Sequence, residues 1–376
     1  MKIGVIMKKR IIFSITAVVL IVSISGYNAA KFFSRSSSES DSEIRESSHL
    51  KKFEGSLELP VIGSSAYAAV SINLREDFNV ESQSLMTLKP GQGFTIIGES
   101  DEWWQIDISG TKGWVASQYC LINLPDVIPS IIYDITNSYS SKMKSSGRAI
   151  PNITGQALYE TYIYNKRLDQ EEYIVPVLYS MAKKINLAQQ LALADKNTLI
   201  IYDAFRPYDA QMKIVENLGN LIKTDSEVKA GVTQEPWSLG WFIAQGVSNH
   251  QQGYAIDMSL GKVLETSESS SGGYSYMYVK EYEEYIMPTE IHELSVAAVR
   301  MKTPVSSRNA EAWKNTKPAT TMNDKALLLQ KYCTESGLTP LASEWWHFND
   351  VSCLGVINNK WDGDFFISSN FSEIPF

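Results

Sequence analysis

Four hydrophobic patterns follow one another along the 376-residue chain. The first is an uncharged run, residues 11–30, dominated by Ile, Val, Ala and Ser and preceded by Lys8-Lys9-Arg10. A helix of that length, at 1.5 Å per residue, spans about 30 Å, the thickness of a bilayer core. No polar face is spaced along it, so residues 1–30 predict a transmembrane signal anchor rather than a core helix. The basic cluster keeps the N-terminus cytoplasmic and places the rest of the chain outside. A cleaved signal peptide, which would release a secreted protein, is the competing reading. The poor small-x-small site at Asn28-Ala29-Ala30 weighs against it. The second pattern, residues 31–56, is Ser-rich and charged and predicts a disordered tether.

The third pattern, residues 57–124, alternates. Val70, Ile72 and Leu74 have polar neighbours, as do Phe94 and Ile96, and then Trp104, Ile106 and Ile108. Turns such as Lys89-Pro90-Gly91-Gln92-Gly93 and Gly110-Thr111-Lys112-Gly113 separate them. Short alternating strands with Gly-rich turns predict a small all-β barrel. Leu124-Pro125-Asp126-Val127-Ile128-Pro129 reads as a linker into the fourth region, residues 125–376. There, 173–193 and 209–222 are helical in pattern, Thr198–Tyr202 is a short buried strand, and 324–336 is an amphipathic helix stopped by Gly337. Helices and strands without regular βαβ repeats predict an α+β domain.

Composition narrows the function. An apolar share of 44% fills a sizeable core and excludes a mainly disordered or fibrous chain. A net charge of −8 with no long basic run argues against nucleic acid. The three cysteines, Cys120, Cys333 and Cys353, are too few for a disulfide framework. Outside the cell, a Cys333–Cys353 bridge is one option and free thiols the favoured one, with Cys120 unpaired in either case. Histidine occurs only at 49, 250, 292 and 347, so any metal or acid–base chemistry draws on these.

Three segments carry chemistry. In Ser248-Asn249-His250-Gln251-Gln252-Gly253-Tyr254-Ala255-Ile256-Asp257, His250 and Asp257 are an odd seven apart and would face opposite ways on a straight strand. Gly253 allows a bend that turns both inward. Asp257 then sits in a buried strand, where a carboxylate needs a charged partner, and zinc is one. In Ser343-Glu344-Trp345-Trp346-His347-Phe348, a Glu and a His sit among aromatic residues. They fit a third ligand and a base beside a catalytic zinc, which keeps one position for water. In Tyr202-Asp203-Ala204-Phe205-Arg206-Pro207, Arg206 leaves a buried strand and is placed to hold an oxyanion or a carboxylate. Taken singly, each has a plainer reading: a packed core His, a structural ion pair, Trp345 and Trp346 as packing. Their combination points to chemistry.

Two resemblances sharpen this. Ile72-Asn73-Leu74-Arg75, Leu88-Lys89-Pro90-Gly91, Trp103-Trp104-Gln105-Ile106 and Lys112-Gly113-Trp114-Val115-Ala116 resemble a bacterial SH3-like domain. That implies a barrel that binds cell-wall peptide, with Trp104 and Trp114 as core residues under the plainer reading. Ser-x-His-x-x-Gly-x-Ala-x-Asp followed by Glu-x-Trp-His resembles the signature of zinc D-alanyl-D-alanine peptidases, over roughly residues 125–355. That family includes the dipeptidases of vancomycin resistance and D,D-carboxypeptidases. The resemblance implies one zinc per chain held by His250, Asp257 and His347. It makes Glu344 the general base, Arg206 the stabiliser of the tetrahedral intermediate and Ser248 a contact for the substrate's C-terminal carboxylate.

One departure stands out. Where the dipeptidases carry an Asp for the substrate's ammonium group, Met287-Pro288-Thr289-Glu290-Ile291-His292-Glu293 has His292. A histidine is a poor ammonium partner. It points to a peptidoglycan stem peptide rather than free D-Ala-D-Ala, unless His292 instead supports a metal ligand from behind, lies on the rim or is plain surface. The expected protein is a membrane-anchored extracellular zinc peptidase that cuts the D-Ala-D-Ala bond of wall peptides or their precursors. The alternatives are an endopeptidase cutting within stems or cross-links and a catalytically silent wall-binding or sensing protein.

Overall fold

The computed structural model describes residues 50–357 and 363–375. The expected membrane span and most of the tether lie outside the described residues, and among those described no helix is long and apolar enough to cross a membrane. The tether's last residues are structured: Lys51 and Lys52 form a short parallel strand beside Tyr274 and Ser275.

Alternation builds the barrel as expected. Its strands are β1 (Ser65–Ala68), β2 (Ile72–Arg75), β3 (Ser84–Leu88), β4 (Gly93–Ser100), β5 (Trp103–Ile108), β6 (Thr111–Ala116) and β7 (Cys120–Asn123). Leu74, Leu88, Phe94, Ile96, Trp104 and Ile106 point into its core. An eighth strand, β8 (Pro176–Leu178), comes from the fourth region and pairs antiparallel with β7, Leu178 opposite Leu121. The sheet order is β8-β7-β1-β4-β5-β6-β2-β3.

That extra strand corrects the expected helix at 173–193. The helix α1 (Tyr179–Ala194) starts later, because Pro176 biases Val175 towards extended backbone and the apolar run Ile174–Leu178 completes the barrel sheet. Met181, Ala182, Ile185, Ala188 and Ala192 then recur at helical spacing on the buried face. Next come the wholly buried β9 (Asn197–Asp203) and α2 (Tyr208–Thr224), which Pro207 precedes. The remaining elements are β10 (Ala255–Ser271), β11 (Tyr274–Glu284), α3 (Asp324–Glu335), β12 (Thr339–Pro340) and β13 (His347–Asn349). The side chain of Asn323 accepts from the Ala326 N–H at the start of α3, and Gly337 at φ +89° follows its end. In the second sheet β9 lies between β10 and the short strand Ile132–Tyr133, β11 lies on the far side of β10, and β13 pairs with both β10 and β12. The region is α+β.

The expected linker is buried instead. Leu124–Val127 form one helical turn with all four residues inaccessible. The Asp126 carboxylate accepts from the Ser65 N–H at 2.8 Å and from Asn165 Nδ2 at 2.6 Å. A buried carboxylate must be paired, so this turn ties the barrel to the segment that carries Asn165 rather than spacing two parts. Other contacts add to the joint. Trp104 packs against Tyr179, ring centres 4.7 Å apart and tilted by 59°, and Glu99 accepts from the Tyr179 hydroxyl at 2.8 Å. Residues 363–375 return over the barrel, where Tyr67 donates to the Ser369 carbonyl at 2.7 Å. Trp104 is thus core, whereas Trp114 meets the exposed Phe78 at 5.1 Å.

All three cysteines are free thiols. Cys353 Sγ lies 2.9 Å from Ser180 Oγ, and Cys333 is buried on α3, so the optional bridge does not form.

The joint reaches the chemistry-bearing turn. Gly253 has φ +76°, and a Cβ there would sit 2.2 Å from Leu121 Cδ2 on β7. Its carbonyl accepts from the Leu178 N–H at 2.8 Å. Gly253→Ala therefore has to push the Leu121 side chain aside and hold a side chain at positive φ in the turn that carries His250. A loss of about 1–3 kcal/mol in urea unfolding is the expected result; an unchanged midpoint would show the contact to be slack.

Candidate active site

Three strands bring the acidic and basic groups into one row. Asp203 on β9 lies opposite Asp257 on β10, and Asp257 lies opposite His347 on β13. His250 precedes β10 in the turn that Gly253 closes, with the Gly253 N–H bonded to the His250 carbonyl at 3.1 Å. The predicted bend thus faces both ligand candidates inward. Glu344 enters from the loop before β13.

His250 Nε2 is 3.3 Å from His347 Nδ1 and 3.5 Å from Asp257 Oδ2. His347 Nδ1 is 2.9 Å from Asp257 Oδ1. Zinc bonds of about 2.0–2.1 Å in a tetrahedron place neighbouring donors about 3.3 Å apart. The triangle fits such a cation in size, in donor type and in burial. Glu344 Oε2 lies 3.6 Å from His347 Nδ1, beside the triangle.

A second group, Asp203, Asp257 and His292, also converges. Here the Arg206 guanidinium already serves the carboxylates: Nε donates to Asp203 Oδ2 at 2.8 Å and Nη2 to Asp257 Oδ2 at 3.4 Å. Its positive charge opposes another cation at that spot. Nη1 donates to Gln211 at 2.8 Å, while Tyr159 and Asn137 hold Asp203 at 2.7 Å each. These partners of Arg206 carried no sequence signal beyond Asp203 being three residues away.

His292 is buried in the site, neither rim nor surface. Its Nε2 lies 3.1 Å from Asp257 Oδ2, and its Nδ1 has no partner among the described residues. Its φ of +63° aims the side chain inward from a bent loop.

Charge organises the site. Burial alone would raise the Asp257 carboxyl, but His250, His292 and His347 hold it well below the usual carboxylate range. Burial pulls Arg206 down, and the two carboxylates more than offset this. Burial pushes Glu344 up to about 8 against the opposing pull of His347. A cation beside it acts in the same direction as His347 and favours its ionised form.

These groups open on a cleft of about 310 Å³ whose lining includes Ser248, Trp241, Phe242 and Leu294. Ser248 Oγ accepts from the Gln251 N–H at 3.3 Å and stays at the cleft wall. All six predicted site residues, His250, Asp257, His347, Glu344, Arg206 and Ser248, therefore line one cavity.

A buried donor set of this kind, with a carboxylate beside it in a cleft, suits metal-dependent hydrolysis. Residues 150–361, more than half of the chain, match the D-ala-D-ala dipeptidase family, and residues 70–120 match the bacterial SH3 domain. The chain therefore belongs to the D-Ala-D-Ala dipeptidase family of peptidases and carries a bacterial SH3 domain. It is similar to the D-alanyl-D-alanine dipeptidase of Escherichia coli (strain K12), 28% identical over 201 residues that cover 52% of this chain and 72% of that protein. A solved NlpC/P60 endopeptidase from Photobacterium damselae subsp. piscicida aligns at 10% identity over 60% of this chain and 67% of its own, with a TM-score of 0.16.

Sequence reasoning also missed Arg300. It is fully buried, donates to the carbonyls of Glu344 (3.2 Å) and Trp345, and stacks on Phe348 at 4.2 Å. It thereby fixes the backbone that carries Glu344 and His347. Arg300→Ala leaves two buried carbonyls without a donor. It should cost about 2–5 kcal/mol in denaturant unfolding; a loss below about 1 kcal/mol would place that support elsewhere.

Proposed function

We propose that the protein is a zinc-dependent D,D-peptidase that hydrolyses the D-Ala-D-Ala bond of peptidoglycan stem peptides or their precursors. The observation that carries this reading is the His250–Asp257–His347 triangle with Glu344 and Arg206 at its edge. The three residues would hold one zinc ion. When bound there, zinc lowers the pKa of a water to about 7 and polarises a carbonyl.

The chain's own groups supply the rest. Glu344, 3.6 Å from His347 Nδ1, takes the proton of the attacking water and later hands it to the leaving amine. Three of the five N–H groups of Arg206 are engaged with Asp203, Gln211 and Asp257. The others serve the oxyanion that forms as the carbonyl becomes tetrahedral. Asp203 keeps the guanidinium in place by a bond fixed inside the fold. Ser248 at the cleft wall binds the C-terminal carboxylate of the substrate, and Trp241 and Phe242 give the cleft an apolar side.

His292 sets the substrate class. Its Nε2 is committed to Asp257, and an imidazole stands where an ammonium group would need a carboxylate. A stem peptide, whose residue before the cut is acylated, suits this site better than the free dipeptide. The barrel would bind wall peptide, and the N-terminal run would anchor the chain in the cell membrane with the peptidase outside.

Metal analysis is expected to give one zinc per chain, and chelation should remove hydrolysis. Glu344→Ala should keep the zinc and lose hydrolysis by about 10²–10⁴-fold; full activity in that variant would exclude Glu344 as base. Mass analysis of digested peptidoglycan should show stems shortened by terminal D-Ala. Internal cuts would make the enzyme an endopeptidase, and faster cleavage of free D-Ala-D-Ala than of a pentapeptide would overturn the role given to His292.

A further inference from the structure

Each histidine of the triangle turns one ring nitrogen to the other donors and commits its second nitrogen to the fold. His250 Nδ1 lies 2.8 Å from the Ala204 carbonyl, a backbone acceptor that cannot rotate. His347 Nε2 lies 3.1 Å from Asn349 Oδ1, a side-chain amide that can. Asn349 stands two residues along β13, on the same face of the strand as His347.

Two further residues decide which end of that amide meets the ring. Asn249 Nδ2 donates to the same Asn349 Oδ1 at 2.9 Å, and the Tyr254 hydroxyl donates to Asn249 Oδ1 at 2.9 Å. With the Asn349 amide reversed, its NH2 group would face the Asn249 donor. The observed orientation leaves Asn349 Nδ2 buried and without a partner among the described residues.

The tautomer matters because Asp257 competes for it. Asp257 Oδ1 is 2.9 Å from His347 Nδ1 and favours a proton on that nitrogen. An Nδ1–H bond to Asp257 would tie up two members of the triangle at once. A proton on Nε2, accepted by Asn349, leaves the Nδ1 lone pair for a cation. We propose that Asn349, oriented by Asn249 and Tyr254, is a positioning residue that locks His347 in its Nε2–H tautomer and so aims Nδ1 at the metal. This rests on the zinc reading above, and its test is chosen to separate the two.

Two measurements on the full chain serve: the zinc dissociation constant by competition with a chromogenic chelator, and the ¹⁵N NMR signature of the His347 ring in the metal-free protein. Asn349→Ala should weaken zinc about 10–100-fold and move ring protonation towards Nδ1. Asn349→Asp, which offers an oxygen in either orientation, should restore affinity to within a few-fold of the parent. Asn249→Ala, which leaves Asn349 free to turn, should weaken zinc measurably. The proposal is overturned if Asn349→Ala retains parental affinity and the Nε2–H signature, or if Asn349→Asp binds as poorly as Asn349→Ala. Should Asn349→Ala not fold, Asn249→Ala and Asn349→Asp decide in the same way. A parent chain that binds no zinc overturns the functional reading, while the ring signature of the metal-free protein still decides the tautomer.

Discussion

The site is organised around one buried negative charge. Asp257 sits on the central strand β10, out of water, and its two oxygens meet three imidazoles and a guanidinium. An uncompensated carboxylate in that position would be prohibitively costly, so the surrounding groups are requirements of burial before they are instruments of catalysis. Arg206 shows the double role. It neutralises part of the charge of Asp203 and Asp257, and the same bonds hold its remaining N–H groups at the cleft. Its presence also divides the site, because a guanidinium between Asp203 and Asp257 leaves the His250–Asp257–His347 side as the place for a cation.

The barrel belongs to this arrangement as much as the second sheet does. β8 lends an edge to the barrel, Asp126 joins the two parts from a buried turn, and Leu121 of β7 presses on Gly253. The turn that presents His250 is thus shaped on one side by the barrel. A barrel joined this closely to the peptidase region is more than an appendage to it. It fixes where the cleft lies relative to whatever the barrel holds, because the joint is a packed core rather than a flexible spacer. Trp104 is used up in that joint, and Trp114 with Phe78 remains at the barrel surface.

Support for the metal-facing groups is graded by how firmly each is held. His250 leans on a backbone carbonyl, Asp257 on charged and ring donors, and His347 on an amide whose direction depends on further side chains. Arg300 pins the strand end from beneath by binding the carbonyls of Glu344 and Trp345. The elements that carry the chemistry are short, and β13 has only three residues. Their precision comes from buried polar bonds made by distant parts of the chain, since so short a strand has little rigidity of its own.

Local order made part of this legible from residues alone. The period-two runs revealed the barrel. The odd spacing of His250 and Asp257 across Gly253 revealed the bend, and the polar pair Glu344 and His347 among tryptophans marked the second half of the site. Such features depend on neighbours a few residues apart, which the sequence displays. The barrel's eighth strand, the burial of the Leu124–Val127 turn, the contact of His292 with Asp257, and the contacts of Asp203, Asn349 and Arg300 were decided only by the tertiary structure. Each is a pairing between residues far apart in the chain, and burial selects such pairings by the need to satisfy every charge and polar group removed from water.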